Sequence, residues 1–256
     1  VKRIIFSQHA QTVEDHTSVT DYKRAQFARY KDKLIQAQKE YADFCGADYM
    51  CLDVIATHYD DIQFHKLHRF EMFSHEYDEV LYLDLDVVPQ TQYNFFEYFN
   101  LDSICGYAMN RSPVKKDLYW KLKHDNFDRM NVFAKSCCKK AMLLLEDING
   151  NDDVINTGVL GGNKKSIGDL DFNNRLKHID SLYEEAKEDS LYPEEIVKSW
   201  RRNNEVFITY AIERFNVPFT NIGMSWNFML DSYEPEGGDA SHFLHHINKE
   251  FERSFE

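Results

Sequence analysis

The sequence predicts an α/β fold, a doubly wound parallel sheet with helices packed on its faces. Two observations carry that expectation. Strand-like and helix-like stretches alternate through the first 84 residues as strand, helix, strand, helix, strand, the order in which a parallel sheet is built. The third of these strands, Val80 to Leu83, is fully apolar and runs straight into an acidic pair. In such sheets ligands sit at the carboxyl ends of the strands.

Taken in order, residues 3–7 (RIIFS) read as a short buried strand that ends in a polar loop from Gln8 to Thr20. Asp21 to Phe44 reads as helix, with Phe27, Tyr30, Leu34, Ala37 and Tyr41 at helical spacing and Asp21 as its cap. Tyr49 to Val54 is the second strand and Phe64 to Phe73 a helix. Ile104 to Met109 and Val154 to Leu160 are further strands, with a helix between them at Val132 to Asp147. Ile167 to Glu188 is charged and helical, and a helix from Pro193 to Phe215 carries its proline in the tolerated first turn. Phe219 to Phe228 and Ser241 to Ile247 read as late strands on either side of the loop 234–238. No internal repeat, low-complexity tract or linker divides the chain, so one domain over residues 1–256 is expected.

Composition narrows the function classes. With 43% hydrophobic and 29% charged residues the chain is an ordinary folded one and not a disordered one. A formal charge of −13 argues against broad nucleic-acid binding, whose phosphates need a basic face. It leaves room for a single diphosphate handled by a metal ion or a few local cations. Five cysteines, with no CxxC and with Cys137 and Cys138 adjacent, suggest reduced structural thiols and not a disulfide framework or zinc site. No apolar run approaches the ~20 residues of a membrane span. The expectation is therefore a chain with no transmembrane segment, cytoplasmic or facing the cytoplasm.

The sharpest motif is Tyr82-Leu83-Asp84-Leu85-Asp86-Val87-Val88-Pro89. Two carboxylates two residues apart after an apolar strand can face one cation where the backbone bends. Hard divalent ions such as Mn²⁺ and Mg²⁺ want oxygen ligands and share them with phosphates. The plainer alternative is a strand-end turn with two solvated acids. The apolar strand, itself preceded by Tyr77-Asp78-Glu79, favours the cation.

The run from Tyr77 to Pro89, YDEVLYLDLDVVP, resembles the metal-binding segment of family 8 glycosyltransferases, the glycogenin-like and lipopolysaccharide galactosyltransferase-like enzymes. The resemblance implies a GT-A (Rossmann-like) nucleotide-diphospho-sugar transferase fold, with a mixed central sheet flanked by helices. It also implies a UDP- or GDP-sugar donor, a glycan, lipid or protein acceptor, and Mn²⁺ (or Mg²⁺) on Asp84 and Asp86. Residues 1–110 would form the nucleotide-binding half and 111–256 the half that meets donor sugar and acceptor. Two later segments follow in the family's order. Val154 to Leu160 is similar to a strand whose Asn, here Asn156, contacts the donor sugar, with Gly158 beside it. Phe243 to Lys249 is similar to the strand that ends in the third metal ligand, here His245, followed by a phosphate-binding lysine, here Lys249. The sequence departs from the family where its usual Gly appears as Asn248 and its Lys-Pro-Trp ending as Lys249-Glu250-Phe251. His242 and His246 remain alternatives for the metal, and on a strand they share one face while His245 points to the other.

The resemblance further places Glu205 where the family has a Gln near the reacting face of the donor sugar. A carboxylate there either stabilises positive charge on the sugar ring, acts as nucleophile, or is a helix-start acid favoured by the macrodipole. In similar enzymes a basic residue one helix before the aspartates reaches the donor, which nominates Lys66 and Arg69. Ser7, Gln8 and His9 follow the first strand, where base and ribose lie in this fold. Arg201-Arg202 reads as surface charge or as a phosphate or acceptor contact. The readings from other classes are a haloacid-dehalogenase-like phosphatase, whose nucleophile is also a DxD after a strand, and a non-catalytic sugar-nucleotide or glycan-binding module. The phosphatase motif normally opens its domain, whereas about eighty residues precede Asp84.

Overall fold

The computed structural model describes residues 1–12, 18–56, 62–109, 132–188, 203–230 and 241–256. Its central sheet has six strands in the order β2-β1-β3-β6-β5-β7. They are β1 (Arg3–Thr12), β2 (Asp48–Ala56), β3 (Glu79–Leu83), β5 (Ile104–Met109), β6 (Val154–Asn163) and β7 (Phe219–Asn221). β1 pairs in parallel with β2 and β3, and β5 pairs in parallel with β7, while β6 runs antiparallel to both β3 and β5. The sheet is thus mixed, not purely parallel. Nine of the ten β6 residues are buried, so its pattern carries no inside and outside to reveal which way it runs.

Alternation sets the two faces. Ile4, Phe6, Val80 and Tyr82 join one core with Leu67 and Phe70 of α2 (His65–Ser74) and with α4 (Val132–Leu144), α5 (Lys164–Leu170), α6 (Phe172–Glu188) and α7 (Asn204–Arg214). Ile5, Leu81 and Leu83 join the other with Tyr41 and Ala42 of α1 (Ser18–Cys45), Phe95 of α3 (Phe95–Tyr98) and Phe243. A second, three-stranded sheet, β4-β9-β8, joins β4 (Val87–Pro89), β9 (Phe243–His245) and β8 (Phe228–Met229). Its register sets Val87 opposite His245. The short helix α8 (Glu252–Phe255) closes the chain, and the fully buried Phe251 before it packs on Phe27 and Tyr30 of α1.

Several boundaries differ from the sequence reading. β1 continues to Thr12 because Gln8 to Thr12 pair with Leu52 to Ala56 of β2, so pairing overrides polar composition. The first helix is already helical at Ser18, which puts Asp21 inside it and not at a cap. The single helix expected over Ile167 to Glu188 is two, broken at Asp171, whose backbone is left-handed at φ 46. The helix expected from Pro193 is described only from Asn204, with Asn203 as its cap. The stretch 219–228 is two short strands around a 3-10 turn at Met224–Trp226, and the late strand is three residues long. Arg201, Arg202 and the loop 234–238 lie outside the described residues.

Gln38 fastens the bend after β3. It lies on the apolar stripe of α1 and is fully buried. Its Nε2 donates to the carbonyls of Asp84 at 2.9 Å and Val87 at 2.8 Å, and its Oε1 accepts from the Tyr49 hydroxyl at 3.0 Å. Gln38→Leu would leave these groups short of partners in the interior, which typically costs about 1–3 kcal/mol per group. We expect a loss of roughly 2–4 kcal/mol in urea unfolding. A change below about 0.5 kcal/mol would show that the bend does not depend on this side chain.

Candidate metal centre and sugar-nucleotide site

The bend places both aspartates at the carboxyl end of β3. The Asp84 N–H donates to the Gly158 carbonyl at 2.8 Å, and the His246 N–H donates to the Asp86 carbonyl at 2.9 Å. The backbone thereby ties β3 both to β6 and to the segment after β9. β6 is irregular at this point. Its pairing with β5 jumps from Gly106↔Leu160 to Tyr107↔Asn156, so residues 157–159 leave that ladder. Such an irregularity re-aims side chains and frees carbonyls beside a site.

Ligand atoms of Asp84, Asp86 and His245 all lie within 4.8 Å of one another. His245 Nε2 is 3.5 Å from Asp86 Oδ2 and 3.9 Å from Asp84 Oδ2. His245 is therefore the histidine that reaches the acidic pair. His242 hydrogen-bonds Thr91 at 3.0 Å and packs on Trp226, and His246 meets the Ser254 hydroxyl at 2.8 Å. His245 Nδ1 faces Asn227 Oδ1 at 2.9 Å, an atom that can only accept, so the ring proton sits on Nδ1. Its Nε2 edge then faces both carboxylates. Two carboxylates with an imidazole suit a divalent ion.

Each aspartate is held by a lysine. Lys66, nearly buried, donates from Nζ to Asp84 Oδ1 at 2.9 Å and to the Thr157 carbonyl at 3.2 Å. The Tyr82 hydroxyl donates to the same Asp84 oxygen. Lys249 pairs with Asp86 Oδ2. It is presented by a tight turn in which Lys249 itself is left-handed at φ 66. Burial alone would raise the Asp86 carboxyl, but the Lys249 ammonium beside it holds it far below the usual carboxylate range.

The other nominated residues are placed as follows. Asn156 Oδ1 accepts from the Gly158 N–H at 2.9 Å and from Asn227 Nδ2 at 2.8 Å, and its Nδ2 donates to Glu205 Oε1 at 3.0 Å. Glu205 is in the first turn of α7, buried, with its second oxygen paired to Lys135. Ser7 is fully buried and bonded to the Tyr49 hydroxyl at 2.9 Å, on the Gln38 side of the bend. Gln8 meets His65 at 3.1 Å, while His9 lies 3.0 Å from both Asp53 and Lys31. Arg69 is on the same helix as Lys66, but its Nη1 lies against Met72 Sδ at 3.3 Å.

Sequence reasoning did not nominate Gln38, Asn227, Lys135 or Tyr82. A signal existed for two of them. Gln38 interrupts an apolar helical stripe, and Asn227 stands between Trp226 and Phe228 in a run that reads as buried.

No family model and no curated protein matches the chain. Among solved structures, it matches a glycosyltransferase involved in the glycosylation of the major capsid of PBCV-1, with a TM-score of 0.51 at 12% identity over 96% of this chain and 95% of that one. Mouse xyloside xylosyltransferase 1 aligns with a TM-score of 0.41 at 13% identity, over 97% of this chain and 99% of that one. The galactosyltransferase LgtC, in complex with donor and acceptor sugar analogs, aligns with a TM-score of 0.39 at 14% identity, over 96% and 87%. At such identities likeness speaks to architecture. The mixed sheet with its flanking helices, shared with the capsid glycosyltransferase over nearly the whole chain, is the GT-A glycosyltransferase fold.

Proposed function

We propose that the protein is a metal-dependent glycosyltransferase. It moves a sugar from a nucleotide-diphosphate-sugar donor, a UDP- or GDP-sugar, to a hydroxyl of a glycan, lipid or protein acceptor, with retention. The observation that carries this reading is the convergence of Asp84, Asp86 and the Nε2 atom of His245 at the end of β3 in a GT-A fold. An imidazole among the donors favours Mn²⁺ over Mg²⁺, which prefers oxygen alone. When bound, the cation supplies the positive charge that stabilises the departing nucleoside diphosphate.

The chain's own residues then have distinct tasks. Lys249 and Lys66 turn from the aspartates to the donor phosphates. Ser7, Gln8, His9 and Arg69 belong to the nucleotide side, in the half formed by residues 1–110. Asn156 and Gly158 face the donor sugar, and the half 111–256 receives the acceptor. The placement is cytoplasmic or cytoplasm-facing; no helix among the described residues is long and apolar enough to cross a membrane. The phosphatase alternative fits poorly, because its aspartates open the domain, whereas β1, α1, β2 and α2 precede β3 and Asp84 here.

Melting temperature across a panel of sugar nucleotides, with and without Mn²⁺, tests the reading, since a ligand of the folded state alone must raise it. One donor should stabilise only with the metal and should be slowly hydrolysed. Release of phosphate from simple phosphate esters, without effect of any sugar nucleotide, would replace the transferase with a phosphatase. Stabilisation without turnover would leave a binding module.

The lysines yield a separate prediction. In the metal-free protein Lys249 competes with the cation for Asp86, and with donor present it supports the phosphates. Lys249→Met should therefore tighten Mn²⁺ binding alone by about three- to tenfold, the scale of one partly exposed ion pair. The same change should weaken binding of the Mn²⁺–nucleoside diphosphate complex. Calorimetric titrations with Mn²⁺ alone and with both ligands check the two signs; a parallel fall in both would refute the exchange.

A further inference from the structure

We infer that Asn227, backed by Asn156, Glu205 and Lys135, is a positioning device that locks His245 in its metal-binding tautomer. The inference rests on the metal reading above. It starts from a chain of hydrogen bonds in which every donor points the same way. His245 Nδ1 donates to Asn227 Oδ1 at 2.9 Å, Asn227 Nδ2 to Asn156 Oδ1 at 2.8 Å, and Asn156 Nδ2 to Glu205 Oε1 at 3.0 Å. Lys135 holds the other Glu205 oxygen.

An amide can be flipped end for end, so a chain of two amides has no direction of its own. Here Asn156 is fixed by two groups that cannot flip. The Gly158 backbone N–H donates to Asn156 Oδ1 at 2.9 Å, which makes that atom the oxygen. The Glu205 carboxylate, paired with Lys135, only accepts, which makes the other Asn156 atom the nitrogen. Asn156 Oδ1 then requires Asn227 to present its nitrogen, and so Asn227 turns its oxygen to His245. Asn227 is fully buried and Asn156, Glu205 and His245 nearly so, so water does not offer an alternative partner. The imidazole is left with a proton on Nδ1, which keeps Nε2 as the nitrogen turned to Asp84 and Asp86 for a metal.

This assigns Glu205 a task through other residues. Both of its oxygens are engaged, one by Asn156 and one by Lys135, and it terminates the chain that aims a metal ligand. Hydrogen-bond partners of metal-binding histidines typically carry 10–100-fold in metal affinity.

The experiment uses the full chain labelled with ¹⁵N-histidine and read by NMR without metal, with His245 assigned by loss of its signal in His245→Gln. Mn²⁺ affinity is measured in parallel by paramagnetic titration. In the wild type, the His245 ring should carry its proton on Nδ1. Asn227→Leu, close in size and without a hydrogen-bonding group, should shift the proton toward Nε2 and weaken Mn²⁺ binding about 10–100-fold. Glu205→Gln sets an amide against Lys135 and should weaken Mn²⁺ in the same direction, by less. It carries the test if Asn227→Leu does not fold. A wild-type proton on Nε2, or unchanged tautomer and Mn²⁺ affinity in the variants, overturns the device while leaving the metal site standing. A wild type that binds no Mn²⁺ overturns both.

Discussion

Asp84→Asn and Asp86→Asn should each abolish Mn²⁺-dependent nucleotide binding and sugar transfer, with a loss of at least 10²–10³-fold. Two carboxylates and one imidazole would make up the donor set, so either change would remove a charged ligand from a set of three. The loss of one such contact to a cation amounts to several kcal/mol. The variants should differ in stability. The Asp86 carboxyl is held well below its usual range by Lys249. Its contribution is therefore present above the unfolded carboxylate pKa, near 4, and fades as pH falls through the lower folded value. Asp86→Asn forfeits that contribution at neutral pH and strands Lys249 beside a neutral amide, so a loss of stability is expected there. Circular dichroism should show both variants folded. Wild-type nucleotide affinity in either variant, with saturating Mn²⁺, would remove the aspartates from the metal site.

Gly158→Ala should be the most damaging change to the site that alters no charge. A Cβ at this position would lie 2.5 Å from His245 Cε1, 2.8 Å from its Nδ1 and 3.0 Å from Asn156 Oδ1. Real Cβ atoms essentially never approach so closely, so something must shift. The ring cannot simply swing aside, because Asn227 holds its Nδ1. Nor can Gly158 retreat, because its carbonyl accepts from the Asp84 N–H and its own N–H donates to Asn156. Displacing the imidazole by an ångström should lower Mn²⁺ affinity on the order of 10²-fold. The loss of stability should stay near 1–3 kcal/mol, the usual range for overpacking. Paramagnetic titration and urea unfolding separate these two effects. A Gly158→Ala protein that binds Mn²⁺ like the wild type would mean that His245 does not need its present place.

What was legible in the sequence was local and periodic. The apolar run Val80–Leu83 ending on Asp84-Leu85-Asp86 needs only side-chain period and a bend to suggest strand and cation site, and the structure ends β3 at Leu83. Lys66 and Arg69 could not be separated by register, because both share α2 and only the packing of that helix on β3 decides which ammonium or guanidinium meets Asp84. The same holds for the histidines. His242, His245 and His246 differ by a strand's alternation, but it took the pairing of Val87 with His245 across β4 and β9 to aim one ring at the aspartates. The direction of β6 was hidden because both of its faces are buried. The tasks of Gln38, Asn227 and Lys135 were hidden for a further reason, even where Gln38 and Asn227 stood out in apolar runs. Each acts through partners between about 10 and 70 residues away in sequence, and an amide or ammonium in an apolar stretch has no meaning until its partners are beside it. The sequence by itself determined an α/β chain with an acidic pair at a strand end. Only the tertiary structure decided which histidine, lysines and amides lie beside that pair, because hydrogen-bond direction and ion pairing exist only between groups that folding has brought into contact.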